Sequence, residues 1–249
     1  MEVFRFRGRH GALDHAGGFD VVSAQDLKLL VLDCDGTLVD SQTAIVDTMH
    51  AAFGENGVAR PDADAVRHVV GLELLEAIAR LAPTLGPATH DKICTSYRNY
   101  AKAKRADNSW RDPLYPGARE AIDALNGDGW LIGVATGKSR AGLDQVLDEH
   151  GMQGHFATLQ TSDRAAGKPN PEMLFRALEE TGADAGRAVM VGDTSYDMEM
   201  AVNANIPAIG VSWGYHQSAA LKSAGAVTVI DRFDQLPDAA AGLIAANIG

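Results

Sequence analysis

The feature that most constrains the fold is a strand-like apolar run, Lys28–Leu32, that ends in two aspartates. Asp33 and Asp35 follow it directly, and Gly36 comes next. A carboxylate at the end of a buried strand is costly unless a cation or hydrogen bonds compensate it. If the strand continues, alternation puts both aspartates on one side of the chain, where one could react while the other moves a proton beside a metal. Alternatively, Asp35-Gly36 is only a turn that closes the strand.

Further apolar runs alternate with helical patterns along most of the chain. This alternation is typical of βαβ units and predicts an α/β fold, with a doubly wound, mostly parallel sheet and helices on both faces. The predicted strands are Lys28–Leu32, 130–135, 155–160, 188–191, Ala208–Val211 and Ala226–Ile230. The helices predicted between the later strands are 118–125, 141–150, 171–181 and 197–204.

The stretch from Ser41 to Asp112 breaks this alternation. It has helical periodicity at 51–53, 66–70, 74–81 and 93–103 and no convincing strand. We therefore predict a second, all-helical domain at 41–112, inserted into an α/β core domain made of 25–40 and 113–249. Residues 1–24 lack the apolar core of a signal peptide, and we expect a flexible extension without chemistry.

Charge and composition argue against several classes of protein. The formal net charge of −11 disfavours nucleic-acid binding, which needs a basic surface. No apolar run approaches the ~18 residues that a membrane span requires. The two cysteines, Cys34 and Cys94, argue against a disulfide framework and favour a reducing cytoplasm. We expect Cys34 to be a buried thiol that points away from its aspartate neighbours, although a nucleophilic role is an alternative.

Polar segments follow two other predicted strands before a helix begins. Thr136-Gly137 combines a hydroxyl with backbone N–H groups at a helix start, an arrangement that binds anions. The same residues could simply cap that helix, with Thr136 or Ser139 as the cap. Lys168 lies in a loop that Pro169 holds extended, and it could bind a phosphate and neutralise a carboxylate, or merely be solvated.

Asp193 and Asp197 follow the fourth predicted strand. Acidic residues there could only mark a helix N-terminus, where they favour the helix dipole. However, open parallel sheets place their sites at the carboxyl ends of the strands, where the connectivity changes direction. Four polar segments at this one edge therefore predict a shared functional site.

The order of these motifs resembles the haloacid dehalogenase superfamily. The matching residues are Asp-x-Asp-Gly-Thr from Asp33, Thr-Gly from Thr136, Lys-Pro from Lys168 and Gly-Asp-x-x-x-Asp from Gly192. The helical insertion resembles the helical cap of that superfamily. Two stretches, 35–41 and 69–72, are similar to its phosphoglycolate phosphatase-like branch.

The resemblance implies a phosphatase that uses Mg²⁺. Asp33 would be the nucleophile that becomes an aspartyl phosphate, and Asp35 the general acid and base. The Mg²⁺ ligands would be the Asp33 side chain, the Asp35 carbonyl and the Asp193 side chain, with Asp197 in support. The groups that hold the phosphoryl oxygens would be Thr136, the Gly137 N–H and Lys168. Similar dehalogenases lack the second aspartate, so Asp35 favours phosphoryl transfer.

The expected partner is a small phosphorylated metabolite, selected by the cap. Gly71-Leu72-Glu73 should form a turn that faces the site, although Glu73 could equally be a helix cap turned to solvent. Arg98, Lys102 and Arg105 share a helical face, which we interpret as solvated rather than as a substrate-steering patch.

We expect His216 to be a surface residue. A sugar-phosphate mutase and a silent regulatory domain are the alternative functions, and the substrate and oligomeric state stay open.

Overall fold

The computed structural model describes residues 27–107, 109–110 and 112–248, so the predicted extension at 1–24 lies outside the described residues. Its centre is a six-stranded sheet in the order β3-β2-β1-β4-β5-β6, in which every neighbouring pair is parallel. The strands are β1 Lys28–Leu32, β2 Trp130–Thr136, β3 Thr158–Thr161, β4 Ala188–Gly192, β5 Ala208–Val211 and β6 Ala226–Ile230.

The chain winds outward from β1 to β3 and then returns past β1 to begin β4. The strand order therefore reverses between β1 and β4, which pair directly. In open α/β sheets a ligand site lies outside the carboxyl ends of the strands at such a reversal. The predicted doubly wound α/β fold is confirmed.

Helices cover both faces of the sheet because side chains alternate along each strand. Leu30 and Leu32 belong to one buried cluster, and Leu29 and Val31 belong to the other. The helices outside the insertion are α5 Ala118–Gly127, α6 Arg140–Glu149, α7 Glu172–Thr181, α8 Ser195–Asn203, α9 Ser218–Ser223 and α10 Leu236–Ile248. Helices α5, α6 and α10 cover the Leu30 face, whereas α7, α8 and α9 cover the other.

The third strand begins later than predicted. Residues 155–160 were expected to be strand, but Gln153–His155 forms a short 3₁₀ helix and β3 runs over Thr158–Thr161. His155 pairs with Asp123 on α5, and Phe156 packs against the buried cluster on the Leu30 face of the sheet. The apolar character at 155–157 therefore reflects packing, and strand pairing begins opposite Gly133.

The insertion is helical throughout its described part. It comprises α1 Gln42–Glu55, α2 Ala63–His68, α3 Leu74–Leu81 and α4 Pro87–Ala106. These helices share a core of their own, built around Phe53, Ile78 and Ile93. The two linkers meet side by side, because the Asp40 N–H donates to the Pro113 carbonyl at 2.8 Å. The domain boundaries stay a prediction, which this separate core supports.

Among the described helices, none combines the length and the apolar composition that crossing a membrane requires.

Candidate active site

Asp33 lies at the carboxyl end of β1, at the reversal of strand order. Its Oδ1 accepts a hydrogen bond from the Cys34 N–H at 2.6 Å and lies 2.8 Å from Lys168 Nζ. Its Oδ2 is buried and accepts no hydrogen bond from the described residues. Burial raises the pKa of Asp33 to about 7, although the nearby Lys168 ammonium opposes this shift. One oxygen is thus held in place while the other is left for a further partner.

Lys168 is completely buried, so the solvated alternative for this lysine is wrong. Its Nζ lies 2.8 Å from Asp33 Oδ1 and 2.6 Å from Asp197 Oδ1. Burial lowers the pKa of Lys168, but the two carboxylates outweigh burial and raise it above its ordinary value. The peptide bond to Pro169 is cis, which the sequence analysis did not foresee. Lys168 is therefore a fixed positive charge beneath the site.

Asp193 and Asp197 follow β4, and Asp197 contacts Lys168. Asp193 accepts hydrogen bonds from the Thr37 hydroxyl and from the Tyr215 N–H, both at 2.8 Å. Asp197 Oδ2 accepts from the Thr194 N–H at 3.0 Å, which completes a capping box at the start of α8. The helix-start interpretation is thus correct for Asp197, and the same side chain also holds Lys168.

The carboxylates of Asp33, Asp193 and Asp197 fit a divalent cation. One oxygen from each lies within 4.8 Å of the others, and all three residues are buried. Burial, and then the charges of Asp197 and Asp33, raise the pKa of Asp193 well above its ordinary value. Among the described residues, Lys168 is the cation that forms ion pairs with this cluster, through Asp33 and Asp197. Hard oxygen donors with excess negative charge suit Mg²⁺.

Asp35 has a separate environment, because β1 ends at Leu32 and the chain then turns. The N–H groups of Leu38 and Val39 both donate to the Cys34 carbonyl, and Gly36 has a φ of 82°. The turn alternative is therefore correct for the backbone, and alternation does not relate the two aspartates. Cys34 is buried in the cluster on the Leu30 face of the sheet, as expected.

Lys138 is the site residue that the sequence analysis missed. Its Nζ lies 2.7 Å from Asp35 Oδ1 and 3.6 Å from Asp112 Oδ2. The Ser41 hydroxyl also donates to Asp35 Oδ1. Ser41 and Asp112 belong to the two linkers of the helical insertion, so one linker contacts Asp35 directly and the other contacts Lys138. Nothing in the local sequence around Lys138 reveals a partner this distant.

Thr136 and Gly137 lie at the carboxyl end of β2. Ser139 is the N-cap of α6 and accepts from the Gly142 N–H, which resolves the choice of capping residue. Thr136 is buried, and its Oγ1 accepts from the Lys138 N–H at 3.2 Å. A Cβ at Gly137 would lie 2.8 Å from the Leu72 carbonyl oxygen. The loop after β2 therefore touches the turn before α3.

A cavity of about 800 Å³ lies between the helical insertion and this edge of the sheet. Asp33, Asp35, Thr136 and Gly137 line its floor. The Gly71–Glu73 turn lines its wall, as expected, and Glu73 makes no side-chain capping hydrogen bond. The structure thus brings the strand-end residues together, with Lys168, Asp193 and Asp197 beneath the floor.

On the positive face of α4, Arg98 and Lys102 are exposed, as the solvated interpretation expects, and with Arg105 they also line the cavity. The loop after β5 differs from expectation. His216 is buried, which contradicts a surface position: its ring stacks on His68 of α2, with centroids 4.5 Å apart. Its Nδ1 accepts from the Ser195 N–H at 3.0 Å. His216 therefore connects the core to the insertion.

Comparison with known proteins gives consistent matches. Residues 30–211 match the family model of the haloacid dehalogenase-like hydrolases. The chain is 33% identical over 219 residues to the probable phosphatase IndB of Dickeya dadantii, covering 87% of this chain and 94% of the relative. It is 31% identical over 192 residues to a phosphoglycolate phosphatase of Agrobacterium fabrum, covering 75% and 81%. A predicted phosphatase from Clostridium acetobutylicum shares the fold, with a TM-score of 0.78 at 24% identity over 87% of this chain and 99% of that one.

Proposed function

The chain belongs to the haloacid dehalogenase-like hydrolases, and on that basis we propose that it is a phosphatase that hydrolyses a phosphate monoester of a small metabolite. Relatives named as phosphatases support this activity. The observation that supports the mechanism is that two aspartates line the same cavity floor and that each is held by a different lysine. Asp33 is held by Lys168 with one oxygen free, and Asp35 is held by Lys138.

In the first step, a carboxylate oxygen of Asp33 attacks phosphorus, and the bond from phosphorus to the ester oxygen breaks. The Cys34 N–H and Lys168 keep Oδ1 in place, which leaves Oδ2 as the atom for attack. The products of this step are an aspartyl phosphate and an alcohol, whose oxygen receives a proton as its bond to phosphorus breaks. Lys168 stabilises the carboxylate form of Asp33, although burial opposes ionisation.

Asp35 transfers the protons of both steps. It gives a proton to the leaving oxygen, so that the alcohol departs neutral, and it then takes one from the attacking water. That water attacks phosphorus, phosphate leaves, and Asp33 returns to its carboxylate form. Ser41 and Lys138 hold the Asp35 carboxylate at the cavity during this exchange.

The proposed Mg²⁺ ligands are the Asp33 side chain, the Asp35 carbonyl and the Asp193 side chain. Asp197 supports them from behind, since both of its oxygens already have partners in Thr194 and Lys168. When bound, Mg²⁺ would neutralise the charge of the phosphoryl group and help to align it. Thr136, the Gly137 N–H and Lys168 are the proposed partners of the remaining phosphoryl oxygens. In support, Thr136 and Gly137 line the cavity with Asp33 at the end of the strand next to β1, and Lys168 contacts Asp33.

Phosphate release from a panel of phosphorylated metabolites with Mg²⁺ tests this proposal. Asp33→Asn should abolish release, because an amide cannot form the acyl phosphate. Asp35→Asn should slow both half-reactions, and the mass of the rapidly quenched wild-type protein should reveal the phosphorylated intermediate. Activity that survives Asp33→Asn would contradict the nucleophile. Turnover of glucose 1-phosphate without phosphate release would instead support a mutase.

A further inference from the structure

We propose that the substrate is an elongated phosphate monoester with an apolar middle and a second anionic group at its far end. This inference rests on the proposed phosphatase function. It concerns the wall of the cavity opposite the catalytic aspartates, which helix α4 of the insertion provides.

Three cations of α4 line the cavity: Arg98, Lys102 and Arg105. Their spacing of four and three residues puts them on one helix face. Arg105 is already engaged, because it lies 4.0 Å from Asp112 Oδ2 and its guanidinium stacks over the Trp110 ring at 4.3 Å. The side chains of Arg98 and Lys102 form no ion pair or hydrogen bond within the described part of the chain. These two cations therefore line the cavity without an ion-pair partner among the described residues.

The row of cations begins at the catalytic end of the cavity. Asp112, the partner of Arg105, is also the partner of Lys138, which holds Asp35. Since an α-helix rises ~1.5 Å per residue, Lys102 lies about 4.5 Å and Arg98 about 10 Å further along the helix than Arg105. In phosphoglycolate a single methylene separates the ester oxygen from the carboxylate. A substrate that small keeps its carboxylate close to its phosphate, whereas Lys102 and Arg98 lie progressively further from the end of the helix at which Arg105 meets Asp112.

Glu73 disfavours a negative charge close to the phosphate. It lies on the cavity wall beside the loop that carries Lys168, since a Cβ at Gly167 would lie 3.3 Å from the Glu73 Cβ. The charged side chains that the insertion contributes to the cavity lining are those of Glu73, Arg98, Lys102 and Arg105. Because Asp112 already engages Arg105, the other three leave about one net positive charge on this wall, which suits one distal anionic group.

The cavity also has an apolar lining. Ile45, Met49, Val66, Val70 and Tyr97 line the cavity on the side of the insertion. Burying a methylene group against such a wall is favourable, at ~0.8 kcal/mol each, or about a fourfold gain in binding. The cavity volume of about 800 Å³ lies within the range of pockets that enclose ligands much larger than a two-carbon acid. An apolar middle section therefore gains binding energy that phosphoglycolate cannot.

The test compares phosphate esters of ω-hydroxy carboxylic acids, from two to about eight carbons, with n-alkyl phosphates of equal length. We expect kcat/KM of the best long ω-carboxylate to exceed that of phosphoglycolate at least about tenfold. Lys102→Gln and Arg98→Gln should each raise KM for the long ω-carboxylate about fivefold to tenfold and leave the n-alkyl phosphate unchanged. Alkane α,ω-bisphosphates in parallel distinguish a distal phosphate from a distal carboxylate.

Lys92→Gln is the matched control, because Lys92 is an exposed cation of α4 that does not line the cavity. It should change neither series of substrates. A preference for phosphoglycolate over every longer ester would overturn the inference, as would equal losses on charged and neutral esters in the Lys102 and Arg98 variants. Failure of the proposed function is a separate outcome, since no ester in either series would then release phosphate.

Discussion

Asp35 shows how a residue close to a strand end takes its environment from distant parts of the chain. Its carboxylate accepts a hydrogen bond from the Ser41 hydroxyl and lies 2.7 Å from Lys138 Nζ. Burial lowers the pKa of Lys138, but Asp35 and Asp112 outweigh burial and raise it above its ordinary value. Lys138 is therefore a permanent cation that fixes the position of Asp35. In the proposed mechanism this makes Lys138 a positioning residue for proton transfer.

Replacing Lys138 with methionine should impair reactions in proportion to their need for the general acid. For an alkyl phosphate, whose alkoxide must be protonated, we expect kcat/KM to fall about 100-fold, within the range attributed to general acid catalysis. For p-nitrophenyl phosphate, whose leaving group departs as an anion, kcat/KM should fall less than about fivefold. Steady-state kinetics with the two substrates at equal Mg²⁺ measure this difference.

Asp35→Asn and Asp33→Asn are the reference variants for this measurement. Asp35→Asn should likewise lower kcat/KM more for the alkyl phosphate than for p-nitrophenyl phosphate. Asp33→Asn should remove both activities equally. Equal losses on both substrates in Lys138→Met would assign Lys138 a general structural role and contradict its role in positioning Asp35.

At the scale of elements, the site depends on the contact of the Gly71–Glu73 turn with the loop after β2. Gly137 allows this contact, because a Cβ there would lie 2.8 Å from the Leu72 oxygen and 3.0 Å from the Gly71 oxygen. Both are backbone atoms, so neither can move aside as a side chain could. The turn also carries Glu73 on the cavity wall. A small displacement of the turn therefore changes the shape of the cavity.

Gly137→Ala should displace this turn away from the sheet. We expect kcat/KM to fall at least about tenfold, since misplacement by about 1 Å can cost more than that, while the thermal midpoint changes by only a few degrees. Gly127→Ala is the matched control, because a Cβ at this helical residue of α5 meets nothing within 4 Å. That control should retain full activity. Full activity in Gly137→Ala would show that the cavity does not depend on the contact.

The strand–helix alternation predicted these elements well where the signal was local. Strand β1 and the two last strands have the bounds that the apolar runs indicate. The start of β3 was misplaced, because Phe156 is apolar for packing beneath the sheet and not for strand pairing. In the site, strand ends identified Asp33, Asp35 and Asp193. Lys138 and Asp112 were not predicted as site residues, because their pairing depends on where the second linker of the insertion returns to the core domain.

At the scale of the molecule, an acidic chain of net charge −11 also concentrates negative charge in its interior. The buried cluster of Asp33, Asp193 and Asp197 has Lys168 as its close counter-ion. Charged groups removed from water destabilise a fold unless they are compensated. The stability of the whole protein should therefore depend on pH and on divalent cations together.

Without divalent cations, the protein should lose stability as pH rises. The pKa of Asp33 is about 7 in the folded protein, and that of Asp193 is also raised, whereas both carboxyls ionise near 3.8 in an unfolded chain. Between these values the folded state binds more protons than the unfolded state, so the free energy of unfolding falls with pH. In EDTA we expect Tm to fall about 5 °C from pH 5.5 to pH 8, as a loss of about 1–2 kcal/mol implies.

Saturating Mg²⁺ should reverse this loss, because it compensates the ionised carboxylates, and the gain in Tm should be larger at pH 8 than at pH 5.5. Asp193→Asn separates this effect from other titrating groups. An asparagine can accept from the Tyr215 N–H and donate to the Thr37 hydroxyl, so both hydrogen bonds of Asp193 have replacements. In EDTA at pH 8 this variant should melt above the wild type, and it should lose most of the Mg²⁺ response. Calorimetry that finds equal Mg²⁺ effects at both pH values, or the same effect in the variant, would contradict a cation site at these carboxylates.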